Sequence, residues 1–135
     1  MAIEYINPPE LLAPKGYAHI VTATGGKTIY LAGQGAYDVS GKLIGKNDLC
    51  AQTQQAVSNL LTALSAAGAR PANVVKMNIY VVGLNAAALG NFLRGMQAAT
   101  GETPFPSTAS TMVGVEALAW DGMLVEIEAI AVIEA

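Results

Sequence analysis

The sequence predicts an α+β domain, one mixed β-sheet with two helices packed on one of its faces, and three features carry that prediction. Elements read in the order strand, strand, helix, strand, helix, strand, strand, a mixture that neither an all-β nor an all-α architecture accommodates. Two stretches repeat apolar residues every three to four positions, the period of a helix buried along one stripe. The other apolar stretches are short, rich in β-branched residues and bounded by Gly, Pro and Asp. At 135 residues the chain is expected to form a single domain over residues 1–135, long enough to bury a core without staples.

The first two strands follow Pro8-Pro9. Residues 17–23 and 28–33 flank Thr24-Gly25-Gly26-Lys27, and that spacing predicts a hairpin. Gly33-Gln34-Gly35 breaks the second strand, because glycine permits a bulge or the close approach of another group to the backbone. Residues 38–42 read as a looser turn before a short extended piece at Leu43-Ile44.

Asn47 or Asp48 caps the first helix, a side-chain oxygen accepting an orphan N–H of the first turn. Leu49, Thr53, Ala56, Val57, Leu60, Leu61 and Leu64 form its buried stripe, opposite Gln52, Gln55, Ser58, Asn59 and Thr62, and Gly68 ends it. Residues 74–82 are the clearest strand, and strand, helix and strand together predict a right-handed crossover. A second helix is expected over residues 84–99, with Leu84, Ala88, Phe92 and Met96 on one stripe, despite Gly90 and Gly95, each costing about 1 kcal/mol relative to Ala.

Residues 107–116 and 123–133 read as a C-terminal hairpin closed at Asp121-Gly122. In the last strand Met123, Val125, Ile127, Ala129 and Ala131 alternate with Leu124, Glu126, Glu128, Ile130 and Val132. Successive side chains point to opposite faces, so Glu126 and Glu128 share one face among aliphatic residues.

Composition narrows the function. Seven Lys+Arg against ten Asp+Glu give a net charge of −3, which offers a polyanion no long-range attraction and argues against nucleic acid. One Cys and one His leave no disulfide and no transition-metal set, so no metal and no cofactor is expected. The N-terminus lacks the basic start and apolar core of a signal peptide, and no run reaches membrane-spanning length, which predicts a soluble, cytoplasmic protein. Charged residues make up 13% and hydrophobic residues 53%, against a charged share of roughly 25% in ordinary soluble domains. That shortage predicts that identical subunits cover part of the surface.

Glu126 suits either an acid/base carboxylate in an apolar setting or a strand glutamate facing solvent. Glu128 reads as structural, with Lys76 or Arg94 as its partner. His19 suits either an acid/base group or a satisfied strand histidine. Cys50, just inside a helix start, reads as packing. No Gly-x-Ser-x-Gly elbow supports Ser110 or Thr111 as a nucleophile, and Gly33-Gln34-Gly35 lacks the lysine and following helix of a nucleotide loop.

Leu31-Ala32-Gly33-Gln34, Ala66-Ala67-Gly68-Ala69, Asn73-Val74-Val75-Lys76, Val113-Gly114-Val115-Glu116-Ala117-Leu118 and, most specifically, Val125-Glu126-Ile127-Glu128-Ala129-Ile130-Ala131 resemble the Rid/YjgF family, also labelled endoribonuclease L-PSP. The resemblance runs from about Pro14 to Ile133. It implies a chorismate-mutase-like fold, a homotrimer with small-molecule clefts between subunits, and hydrolysis of reactive imines and enamines to keto acids and ammonia. Carried over by position, Tyr17 matches the family's cleft tyrosine and His19 falls where the motif has glutamine. Ala32 replaces a serine before Gly33, and Glu126 matches the water-ordering glutamate. Ser110, beside Thr111, stands where deaminating members carry an arginine. An arginine fork grips a carboxylate bidentately, whereas a hydroxyl supplies one donor and no charge. No other basic residue lies near in sequence, so ordinary 2-imino acids are expected to bind poorly. Three readings stay open: a hydrolase of imines or enamines acting through Glu126, with Tyr17, Ala32, Gly33, Ser110 and Thr111 around the ligand; a non-enzymatic trimer binding a metabolite or a protein; and an endoribonuclease.

Overall fold

Alternation along the last strand sets the architecture. The computed structural model describes residues 2–134. It comprises β1 (Ile3–Ile6), β2 (Ile20–Ala23), β3 (Lys27–Gln34), α1 (Leu49–Ala66), β4 (Val74–Val82), α2 (Ala86–Thr100), β5 (Ala109–Val115) and β6 (Val125–Ile133). On β6, Val125, Ile127, Ala129 and Ala131 are buried while Glu126, Glu128 and Ile130 are only half-buried. The buried set packs with Met77, Ile79 and Val81 of β4, Ala56, Val57, Leu60 and Leu64 of α1, and Phe92 of α2. Both helices therefore pack on one face of a mixed sheet, as the sequence predicts.

Strand pairing departs from the sequence reading twice. The main sheet runs β3-β6-β4-β5, with β6 antiparallel to both neighbours and β4 parallel to β5. β4 thus intervenes between β5 and β6, and the expected C-terminal hairpin does not form. Nor do β2 and β3 pair: β2 joins β1 in a separate two-stranded antiparallel ribbon, Ile3 opposite Ala23 and Ile6 opposite Ile20. Glycine-rich turns report where a chain reverses, not which strand it meets afterwards. Burial decides the partner: the nine-residue β4 and β6 lie side by side and give Met77, Ile79, Val81, Val125, Ile127, Ala129 and Ala131 to one core.

The helices carry the expected punctuation. Asp48, not Asn47, caps α1, its Oδ1 accepting the Ala51 N–H at 3.0 Å. Gly68 takes φ +80°, and the Ala69 and Gly68 amides donate to the Leu64 and Ser65 carbonyls at 2.9 and 3.0 Å, a Schellman ending. Asn85 caps α2 through the Ala88 N–H at 2.8 Å. Gly95 lets α2 press against α1: a Cβ there would lie 2.7 Å from the Thr53 Cβ and closer still to the Cys50 carbonyl.

Gln52 overturns its expected place on the polar side of α1. It is fully buried, and its amide donates to the Gly45 and Gly122 carbonyls at 3.2 and 3.0 Å while accepting the Leu124 N–H at 2.9 Å. Those bonds satisfy the backbone where β6 begins, so a polar residue is required in the interior there. Asn59 does the same after β3, donating to the Gly35 and Tyr37 carbonyls at 2.9 and 2.8 Å. The turn at residues 38–42 closes on the Asp38 carboxylate, which accepts from the Ser40 hydroxyl and the Ser40 and Lys42 amides. The Ser40 hydroxyl is the largest cause holding the Asp38 carboxyl below its ordinary range.

Candidate functional site

Glu126 owes its position to a bulge in the neighbouring strand. Leu31 pairs with Ala129 and Gln34 with Ile127, so Ala32 and Gly33 together face Glu128. The Glu126 side chain lies across this bulge, and a Cβ on Gly33 would sit 2.6 Å from its Oε1. Glycine is needed here for space, not for a special φ. Ala32 and Gly33 are exposed, which leaves the carboxylate at an open part of the sheet.

The two glutamates then diverge. The Tyr80 hydroxyl, reaching over from β4, donates to Glu128 Oε1, so the partner of Glu128 is a phenol and not the Lys76 or Arg94 expected from sequence. Donation to an anion favours the protonated phenol and raises the Tyr80 pKa above its ordinary value. Glu126 accepts no hydrogen bond among the described residues. Thr111, on the edge strand β5, belongs to the same face, paired with Asn78 of β4, and is exposed.

Tyr17 and Ser110 lie elsewhere. Ser110 pairs with Met77 and lines, with Tyr17, a cavity of about 730 Å³ between the helix side of the sheet, α2 and the segment at Pro104-Phe105-Pro106. Its hydroxyl donates to the Thr108 carbonyl at 3.3 Å. Within one chain, therefore, the six residues fall into two groups: Glu126, Ala32, Gly33 and Thr111 on the open face, Tyr17 and Ser110 on the helix side. Strand parity already separates Ser110 from Thr111, since adjacent strand residues face opposite ways.

His19 acts in the segment before β2. Its Nε2 lies 2.6 Å from the Leu12 carbonyl, which can only accept, so that nitrogen carries the hydrogen. Its amide donates to Asn7 Oδ1 at 2.8 Å, and its ring meets Tyr17 edge-on at 5.3 Å. These contacts tie the N-terminal segment to Tyr17. Sequence reading missed Tyr80 and also Lys15, which lines the same cavity as Ser110 although 95 positions separate them. Among the described residues no group of three or more His, Cys, Asp or Glu could hold a metal ion, and no helix is long and apolar enough to cross a membrane.

Known proteins share this fold and much of this sequence. The Rid-family protein YyfB of Yersinia pestis, described as of unknown function, is 39% identical, with a TM-score of 0.85 over 98% of this chain and all of that one. YyfA of the same organism, also a Rid protein of unknown function, is 30% identical with a TM-score of 0.66, again over 98% of this chain and all of that one. A 2-iminobutanoate/2-iminopropanoate deaminase of Dermatophagoides farinae is 34% identical over 110 residues, 81% of this chain and 80% of that protein. The sequence profile of the family described as Endoribonuclease L-PSP matches residues 9–133. The chain thus belongs to the endoribonuclease L-PSP, or Rid, family.

Proposed function

We propose that this protein is a hydrolase of the imine/enamine deaminase type, working as a homotrimer whose small-molecule clefts lie between subunits. The observation that carries the reading is the contrast between the neighbouring carboxylates: Glu128 is held by Tyr80, while Glu126 lies over Gly33 at an open bulge with no hydrogen bond among the described residues. A carboxylate so placed can accept a proton from water as that water adds to a C=N carbon. The resulting carbinolamine loses ammonia and leaves a carbonyl, one water consumed for each ammonia released. The deaminase named among its relatives supports this chemistry.

The division of the candidate residues supports a site shared between copies. Glu126 and the Tyr17–Ser110 cavity occupy opposite faces of one sheet, so a site using both needs the Glu126 face of one copy at the cavity of another. The open face also exposes Tyr30 at 77% and Val113 at 40%, apolar surface suited to burial by a neighbouring copy. The test is ammonia release from freshly generated 2-aminoacrylate and its imine. Glu126→Ala should lower the rate by about 100-fold or more, and equal rates in both proteins would sink the reading. Sedimentation at micromolar concentration should give a trimer; a monomer would refute the shared cleft.

Binding without turnover is the second reading, and one observation favours it. Ser110 supplies no charge, and its hydroxyl is already engaged with the Thr108 carbonyl. Under that reading ligands bind wild type and Glu126→Ala alike and neither releases ammonia. Endoribonuclease activity is the third, disfavoured by the net charge of −3. RNA cleavage that survives both Glu126→Ala and Tyr17→Phe would come from another site or a contaminant.

A further inference from the structure

The cavity beside Ser110 is larger and more apolar than a three- or four-carbon imino acid requires. Its volume of about 730 Å³ falls within the roughly 300–1,000 Å³ of pockets that enclose drug-sized ligands. Met77 and Ile79 of β4, Phe92 and Met96 of α2, Phe105 and Met112 wall it. Thioether and aromatic side chains of this kind adapt to a planar or branched apolar body. A ligand of three carbons would leave most of that wall in contact with water.

The polar groups around the cavity are fewer and mostly committed. Thr108 donates its hydroxyl to the Val74 carbonyl at 3.1 Å, Thr100 donates to Met96, and Ser110 to Thr108. Lys15 is the one charged residue among those that line it, and it is exposed next to Gly16 and Tyr17. A lysine on a long flexible stem can hold its ammonium at the wet edge of an apolar cavity.

We infer that the cavity takes a carboxylate carrying a large apolar group, an aromatic ring or a branched chain of five or more carbons, with the apolar part between α2 and β4 and the carboxylate at Lys15. Lys15 is then a specificity-determining residue that supplies the missing charge from a different segment. This rests on the reading of the cavity as part of the functional cleft and names its substrate class: imines of bulky apolar 2-oxo acids.

Equilibrium binding separates this inference from turnover. Titration calorimetry with 3-phenylpropanoate, propanoate and the neutral 3-phenylpropanol should show 3-phenylpropanoate binding at least tenfold more tightly than either of the others. Lys15→Met should erase its advantage over 3-phenylpropanol and leave the alcohol's affinity unchanged. Met112→Trp, checked by circular dichroism and sedimentation to be folded and assembled as the wild type, should abolish binding of both aromatic compounds. Propanoate binding as tightly as 3-phenylpropanoate, or a Lys15→Met protein that still prefers the carboxylate, would overturn the inference. Glu126→Gln should retain 3-phenylpropanoate binding. If no imine is hydrolysed and this binding pattern nevertheless holds, the deaminase reading fails and the ligand class stands.

Discussion

The two faces of the main sheet solve different problems with the same strands. Toward the helices, β6 presents Val125, Ile127, Ala129 and Ala131, all buried and packed on α1. One residue further along each time, it presents Glu126, Glu128 and Ile130, half-buried in a single chain beside Tyr80, Asn78 and Lys76. The covered face is a store of stability. The open face keeps polar side chains that would be costly in a core, and a protein retains those where chemistry or a partner uses them. One two-residue repeat thus separates, on a single strand, the face that builds the core from the face that carries the candidate carboxylate.

The sharpest way to break that comparison is to truncate neighbouring residues on opposite faces. Ile127→Ala should cost about 2–5 kcal/mol in denaturant unfolding, as expected for deleting a fully buried aliphatic side chain. Glu126→Gln should change stability by no more than about 0.5 kcal/mol. Equal losses would mean the faces do not differ as described. Next in size, Gln52→Ala should cost about 1–3 kcal/mol, because it strands the Gly45 and Gly122 carbonyls and the Leu124 amide inside the protein. A neutral result would remove the claim that this buried amide organises the start of β6.

A smaller change sharpens the open side. Gly33→Ala places a methyl group against the Glu126 carboxylate. That carboxylate ends a flexible side chain, so stability should shift by less than about 1 kcal/mol, while ammonia release falls with the displaced group. Unaltered turnover would detach catalysis from the bulge. The smallest effect is on pH. The folded pKa of Tyr80 is raised, first by its bond to Glu128, so its contribution is complete below the ordinary tyrosine value of about 10 and is lost as pH rises through the folded value. Melting temperatures of wild type and Tyr80→Phe should therefore converge on going from neutral pH to above pH 10. A difference that stays constant would disconnect that hydroxyl from Glu128.

Local features were legible in the sequence and long-range ones were not. The bounds of β4, a cap at Asn47 or Asp48, the Gly68 ending and the shared face of Glu126 and Glu128 all follow from neighbours within a few residues, where side-chain period and capping chemistry act directly. Pairing depends on which distant strand buries most, and so both expected hairpins failed although their turns were read from glycine. β1 went unread because four residues ahead of Pro8-Pro9 carry too little pattern. Gln52 reads as solvent-facing by residue type, whereas backbone groups of Gly45, Gly122 and Leu124 draw it inward. For the candidate site, the family motif pointed to Glu126 and Gly33, which the structure brings together. The expected ligand set joins Ser110 with Thr111, although adjacent strand residues face opposite sides. Lys15 was invisible because proximity in sequence is a poor guide to proximity across a cavity wall.

The pinch at Gly95 has a bearing on the recess beside α2. Because α2 rests there against the backbone of α1 with no side chain between them, any larger residue at that position must lift the helix that carries Phe92 and Met96 off its neighbour. The width of the recess is therefore set in part by a methyl group missing from a residue outside its lining.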